Sequence, residues 1–194
     1  MSEKLPDIQG QKMIICGLQG SGKTHYVKEL LKHHKYKTLV YAPHEYDFKD
    51  MPDAVMLVIP NDYYGDIEKF MQIAGELARK GEIDGVVIDE FDMLYKSTAS
   101  LGRHATDIML NHRHYPEGKG MFVVGLTRRP QDVPTKIYES SKFITVFAMQ
   151  GANAKKKFND IFNKMGDQVL ELNHKTHEFI IREVGEIPQK FDAI

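Results

Sequence analysis

Eight residues, Gly17-Leu-Gln-Gly20-Ser21-Gly22-Lys23-Thr24, limit what this chain can fold into more than any other stretch. They satisfy the spacing Gly-x-x-x-x-Gly-Lys-[Ser/Thr] at every fixed position. Glycines at 17, 20 and 22 let the backbone turn tightly, so that its N–H groups converge on the oxygens of a phosphate chain. Such a loop needs a strand leading in and a helix leading out. Lys12–Cys16 is a short apolar run between glycines, and Thr24–His34 carries Tyr26, Val27, Leu30 and Leu31 at helical spacing. The start of that helix adds the positive end of its dipole at the same point. Gly17, Gly20, Ser21, Gly22, Lys23 and Thr24 are therefore expected to hold nucleotide phosphates. Lys23 would neutralise β- and γ-phosphate charge, and the Thr24 hydroxyl would ligate Mg²⁺.

The rest of the chain alternates in kind. Thr38–Ala42, Ala54–Ile59, Gly85–Ile88, Gly120–Leu126 and Phe143–Ala148 read as strands, and Ile67–Lys80, Ser100–His112 and Ala152–Met165 as helices. Gln168–Leu172 and Glu178–Arg182, joined by Asn173–His177, read as a hairpin. Strands apolar on both faces and alternating with helices predict an α/β domain with a mostly parallel sheet flanked by helices. The expected organisation is one domain over 1–194: an N-terminal tail (1–11), a core (12–150), and a C-terminal helix with a small β-hairpin (151–194).

Composition limits the partners. The 194 residues carry 26 Lys+Arg against 27 Asp+Glu, which excludes a positive coat over the whole surface but not a local basic patch. The single cysteine, Cys16, cannot form an internal disulfide and is expected to be buried and inert, which fits a reducing compartment. Apolar runs such as Val55–Ile59 are far shorter than the roughly 20 residues a bilayer requires. Met1–Gln11 lacks the apolar core of a signal peptide. A cytoplasmic location is expected.

Asp89 and Glu90 end the strand Gly85–Ile88. Ligands of open parallel sheets collect at the carboxyl ends of the strands, which brings this pair toward the phosphate loop. Asp89 can hold a water ligand of Mg²⁺, and Glu90 can orient and deprotonate an attacking water. Asp92 reads as a helix-start residue. Arg113 lies between a helix and the next strand, while Arg128 and Arg129 directly follow a strand. A planar guanidinium suits the spread charge of a transferring phosphoryl group, and Thr127 stands where a γ-phosphate sensor would.

The order of these motifs resembles the FtsK–HerA superfamily of DNA-pumping ATPases, P-loop NTPases of the ASCE/RecA-like kind. That family carries an arginine segment before its fourth core strand, matched here by Arg113-His114. It ends that strand in Thr-Gln-Arg-Pro, matched by Thr127-Arg128-Arg129-Pro130. The resemblance spans about Lys12 to Gln150, and in size the chain is most like the genome-packaging ATPases of membrane-containing icosahedral viruses. It implies ATP and Mg²⁺ as cofactors and Glu90 as catalytic base, with Arg113 as a finger reaching an adjacent subunit's site. It also implies a homo-oligomeric ring, sequence-independent contact with double-stranded DNA, and a portal or membrane vertex protein of a virion as docking partner. The host cytoplasm or the virion vertex would be the place of action. One position departs from the family: its sensor glutamine is Arg128 here, so γ-phosphate sensing falls to Thr127 or to Arg128 itself.

A kinase for small molecules or nucleosides on the same core is an alternative. Such enzymes usually lack the general-base glutamate and carry an arginine-rich lid. A nucleotide-gated assembly ATPase without DNA is the other. The histidines show no zinc-site spacing and are expected to serve surface or capping roles. Lys155-Lys156-Lys157 reads as a solvated helix face, or in a ring as a contact to DNA phosphates, and the basic stretch Lys32–Lys37 is equally ambiguous.

Overall fold

The computed structural model describes residues 4–95, 101–115, 118–162 and 165–194. An eight-stranded sheet organises them. Its strands are β1 (Lys12–Cys16), β2 (Thr38–Tyr41), β3 (Val55–Val58), β4 (Gly85–Ile88), β5 (Phe122–Thr127), β6 (Phe143–Phe147), β7 (Phe179–Glu183) and β8 (Gln189–Phe191). Their order across the sheet is β3-β2-β4-β5-β1-β6-β7-β8. The first six run parallel, and β7 and β8 each pair antiparallel with the strand before them. Every residue of β1, β2, β4, β5 and β6 is buried. Only a parallel sheet covered on both faces buries strands so completely, which is why these runs are apolar without alternation.

The helices are α1 (Lys23–His34), α2 (Tyr63–Arg79), α3 (Arg103–Asn111), α4 (Thr135–Glu139), α5 (Ala152–Phe162) and α6 (Met165–Leu170). Helix α1 covers one face, packing Tyr26, Val27, Leu30 and Leu31 with Met13 and Ile15 of β1 and Val124 and Leu126 of β5. Residues from the other five, among them Met71, Ile108, Tyr138, Phe158 and Val169, form the second core with Ile14, Val86, Val123 and Ile144. Successive residues of β1 thus point into different cores. Each fully buried aliphatic or aromatic side chain contributes about 1.5–3 kcal/mol of transfer free energy, so α1 is fixed chiefly by its four core residues.

The predicted α/β architecture is the observed one, and most elements fall within a few residues of expectation. Helix α2 begins at Tyr63 because Asp62 caps it, its carboxylate accepting from the Tyr64 N–H at 3.1 Å. Helix α3 begins at Arg103, and the expected start at Ser100 lies outside the described residues. The C-terminal hairpin needs correction. Gln168–Leu172 is not a strand: Met165, Val169 and Leu172 are buried at helical spacing, and α6 packs on α5. A Cβ on Gly166 would lie 2.2 Å from the Lys155 carbonyl, so the contact tolerates only glycine. The hairpin is β7–β8 instead, and it extends the main sheet rather than standing apart. Among the described residues no helix is long and apolar enough to cross a membrane.

Candidate nucleotide site

The loop between β1 and α1 is held from two sides. The Gly17 N–H donates to the Thr127 carbonyl at 3.1 Å and the Leu18 N–H to the Ala148 carbonyl at 3.2 Å. A Cβ on Gly17 would sit 2.5 Å from Ser21 Oγ and 2.8 Å from Phe147 Cβ, so no other residue fits without displacing the loop. Gly22 occupies the N-cap position of α1 at φ 104°, in the region that favours glycine. Among the described residues no side chain caps this helix, and its first turn holds no acidic residue, which leaves the end of the dipole for an anion. Ser21 Oγ is buried without a hydrogen-bond partner among the described residues.

Lys23 is buried, and its Nζ donates to the Gly17 and Leu18 carbonyls, both at 2.8 Å. Burial pushes its pKa down, opposed by the charges of Asp89 and Glu90 and reinforced by Arg128. Two hollows meet at the loop. The larger, about 520 Å³, is lined by Gly20–Tyr26 together with Asp47, Phe147, His177 and Phe179. The smaller, about 160 Å³, is lined by Lys23, Thr24, Asp89, Glu90, Thr127 and Arg128, with His44 and Asp47.

Strand order creates the second hollow. Because β5 stands between β1 and β4, Thr127 and Arg128 lie between the phosphate loop and the acidic pair. Asp89 has its pKa raised to about 6, chiefly by burial, with the neighbouring Glu90 charge adding to it and the Glu90 N–H bond opposing it. Its carboxylate accepts that N–H at 2.9 Å. Glu90 takes up a left-handed backbone at φ 51°, which few non-glycine residues adopt. The turn is pinned by the Tyr63 hydroxyl, which donates to the Asp89 carbonyl at 2.5 Å and lies 3.2 Å from the Glu90 carbonyl. Glu90 Oε1 meets Arg128 Nη2 at 2.6 Å.

The geometry gathers Gly17, Gly20, Ser21, Gly22, Lys23, Thr24, Asp89, Glu90, Thr127 and Arg128 in one place. Thr127 has its hydroxyl already engaged, donating to Asp92 Oδ1 at 2.7 Å and accepting from the Arg129 N–H at 3.0 Å. Asp92 is correspondingly buried, a role its local sequence does not announce. Arg129 is exposed and turned toward Asp132, 3.9 Å away. Arg113 lies beyond the site. It precedes β5 and shares a cavity with Lys12, the first residue of β1, at the opposite ends of the strands from the loop. Two of the three clustered lysines are occupied within the chain, Lys155 by Asp167 at 2.5 Å and Lys157 by the Thr135 hydroxyl at 3.0 Å.

Sequence reasoning missed Tyr63, Asp47, His44, Phe147 and His177. All reach the site from remote segments, and no local motif marks them. His177 brings the loop after α6 against Gly22, and His174 Nε2 lies 3.1 Å from the Gln19 carbonyl. Cys16 is buried, with burial pushing its thiol up to about 12, in line with the expected inertness. Among the described residues no three His, Cys, Asp or Glu side chains form a group able to hold a metal.

A glycine loop opening on an uncapped helix, with an acidic strand end across an intervening strand, defines a P-loop nucleoside triphosphatase. The chain belongs to the AAA family, the ATPase family associated with various cellular activities, whose model matches residues 13–150. It is an ATP-binding, ATP-hydrolysing enzyme of that class. No curated protein matches its sequence. Among solved structures it is similar to B204, the DNA-packaging ATPase from Sulfolobus Turreted Icosahedral Virus, with a TM-score of 0.80 at 18% identity over 97% of this chain and 100% of that one. The genome packaging NTPase B204 of Sulfolobus turreted icosahedral virus 2, in complex with ATP-gammaS, gives 0.76 at 18% identity over 96% and 98% of the chains. The cytoplasmic domain of the Thermomonospora curvata Type VII Secretion ATPase EccC gives 0.69 at 15% identity, covering 95% of this chain and 25% of that one. At these identities the likeness is one of fold, and at that level the expected resemblance holds.

Proposed function

We propose that the chain is an ATP-driven motor that moves double-stranded DNA into a viral particle, acting as a homo-oligomeric ring. The observation that carries the reading is Glu90, a carboxylate fixed across a narrow hollow from Lys23 and Thr24. An acid in that place favours water over a substrate hydroxyl as the nucleophile. The packaging role draws further support from a fold shared over 97% of this chain with a viral DNA-packaging ATPase.

In this reading the triphosphate lies along Gly20–Thr24, with base and ribose in the larger cleft between Tyr26, Phe147 and His177. Lys23 releases the Gly17 and Leu18 carbonyls and takes the β- and γ-phosphate oxygens. Glu90 accepts a proton from water as the water oxygen bonds to the γ-phosphorus. The bond from that phosphorus to the bridging oxygen breaks, and ADP leaves with its electron pair. The Thr24 hydroxyl and the Asp89 carboxylate would hold Mg²⁺. Two protein ligands, a hydroxyl and a carboxylate, suit a cation that keeps phosphate and water as its other ligands. Bound there, the ion would neutralise charge on the β- and γ-phosphate oxygens.

Arg113 cannot serve its own site, since it lies at the far ends of the strands, and a ring would present it to the neighbour's nucleotide. DNA contact would be to the backbone, through basic residues such as Lys156. A portal or membrane vertex protein would dock the ring, in host cytoplasm or at the virion vertex. ATP turnover by purified protein is expected to vanish in Lys23→Ala and to fall about 10²–10⁴-fold in Glu90→Gln, with nucleotide binding kept in the second. Double-stranded DNA should stimulate wild-type turnover with a steep salt dependence. Normal turnover in Glu90→Gln would overturn the mechanism. Turnover indifferent to DNA would overturn the motor.

A further inference from the structure

The ion pair of Arg128 and Glu90 joins the two residues that the proposed reaction needs apart. Glu90 must face a water, yet its carboxylate is spent on a guanidinium 2.6 Å away. Everything else about Glu90 is fixed. Its backbone is left-handed, its carbonyl accepts the Met93 N–H at 2.8 Å, its N–H is held by Asp89, and Tyr63 pins the preceding carbonyl. Arg128 is the movable partner. Its side chain is 45% exposed against 20% for Glu90, and it sits on a long stem immediately beyond β5. It lines the same small hollow as Lys23 and Thr24, and its charge is felt at Lys23. A pair this open to solvent is held weakly. A terminal phosphate offers the fork a bidentate, more highly charged acceptor.

We propose that Arg128 is an electrostatic latch: without nucleotide it holds Glu90, and the γ-phosphate of a bound triphosphate draws the guanidinium away and frees the carboxylate. The inference rests on Glu90 being the base. A diphosphate lacks the group that releases the latch, so the site would distinguish ATP from ADP through Arg128. The aliphatic stem of Arg128 stays in place while its head changes partner, so no backbone motion is required.

The competition is read by a double-mutant cycle on binding rather than turnover, using Mg²⁺ with AMPPCP or with ADP and calorimetry on the full chain. Arg128→Ala should weaken AMPPCP about tenfold or more and leave ADP within about twofold, as for loss of a charge-assisted hydrogen bond. Unchanged ADP affinity also reports a folded site. Glu90→Gln should tighten AMPPCP about threefold more when Arg128 is present than when it is alanine, because only then does binding have to break the pair. Equal effects of Glu90→Gln in the two backgrounds would overturn the latch, as would equal weakening of AMPPCP and ADP by Arg128→Ala. If Glu90 is not the base, normal ATP turnover in Glu90→Gln reveals it separately, whatever the cycle gives.

Discussion

Thr127 stands where a γ-phosphate sensor would stand, and its hydrogen bonds point to a different task. Its hydroxyl donates to Asp92 at 2.7 Å and accepts the Arg129 N–H at 3.0 Å, and both Thr127 and Asp92 are 1% exposed. Thr127→Val keeps the shape and removes both bonds. A hydrogen bond to a charged group contributes about 1.5–3 kcal/mol, so a loss of about 2 kcal/mol is expected. In a chain of this length that lowers the melting temperature by about 4–8 °C. The assay is thermal and urea unfolding of nucleotide-free protein, with Thr127→Ser as the variant that restores stability. Wild-type stability in Thr127→Val together with ATP turnover at least tenfold slower would refute the argument. The hydroxyl would then act on the nucleotide.

Two pH effects follow from burial. Asp89 has its pKa raised to about 6, so the charged form that the proposed Mg²⁺ site requires is lost as pH falls through that value. Binding of Mg²⁺ with AMPPCP should weaken about tenfold per pH unit below 6 in wild type beyond any slope kept by Asp89→Asn. Matching slopes in the two proteins would exclude this assignment. His112 is 3% exposed, and burial, aided by Lys12 and Arg113, lowers its pKa from 6.5 to about 4. The unfolded chain therefore binds the proton more readily, and the associated stability is whole above about pH 6.5 and disappears toward pH 4. At pH 5 the loss is about 2 kcal/mol. Urea titrations at pH 7 and 5 should show wild type losing that much more than His112→Leu, and equal losses would contradict it.

The phosphate loop was legible because its chemistry dictates residue types at fixed spacing, and Gly17, with Ser21 and Phe147 against it, shows why the type cannot vary. The parallel sheet was legible because strands covered on both faces leave apolar runs such as Met13–Ile15. What sequence could not supply was the order of the strands, since nothing in Phe122–Thr127 says that it lies between Lys12–Cys16 and Gly85–Ile88. That order brings Arg128 to Glu90 and Thr127 to Asp92, contacts 38 and 35 residues apart along the chain. Helix α6 was misread because a run as short as Gln168–Leu172 suits either periodicity, and Met165, which settles it, reads equally well as the end of the helix Ala152–Met165. Strand β8 went unseen because its three residues are largely exposed and so carry no alternation.

The contact of His174 and His177 with the phosphate loop bears on synthesis. The loop is made early, at residues 17–24, while one wall of the adjoining cleft comes from residues 177 and 179. At about 5–20 residues per second, some 150 residues separate these events by roughly 8–30 s on the ribosome. During that time α1 exists without the cleft in which the proposed reading places base and ribose. Under the proposed reading, full nucleotide affinity therefore requires that β7 has docked. Polypeptides interrupted before that strand should then bind ATP more weakly than the full chain.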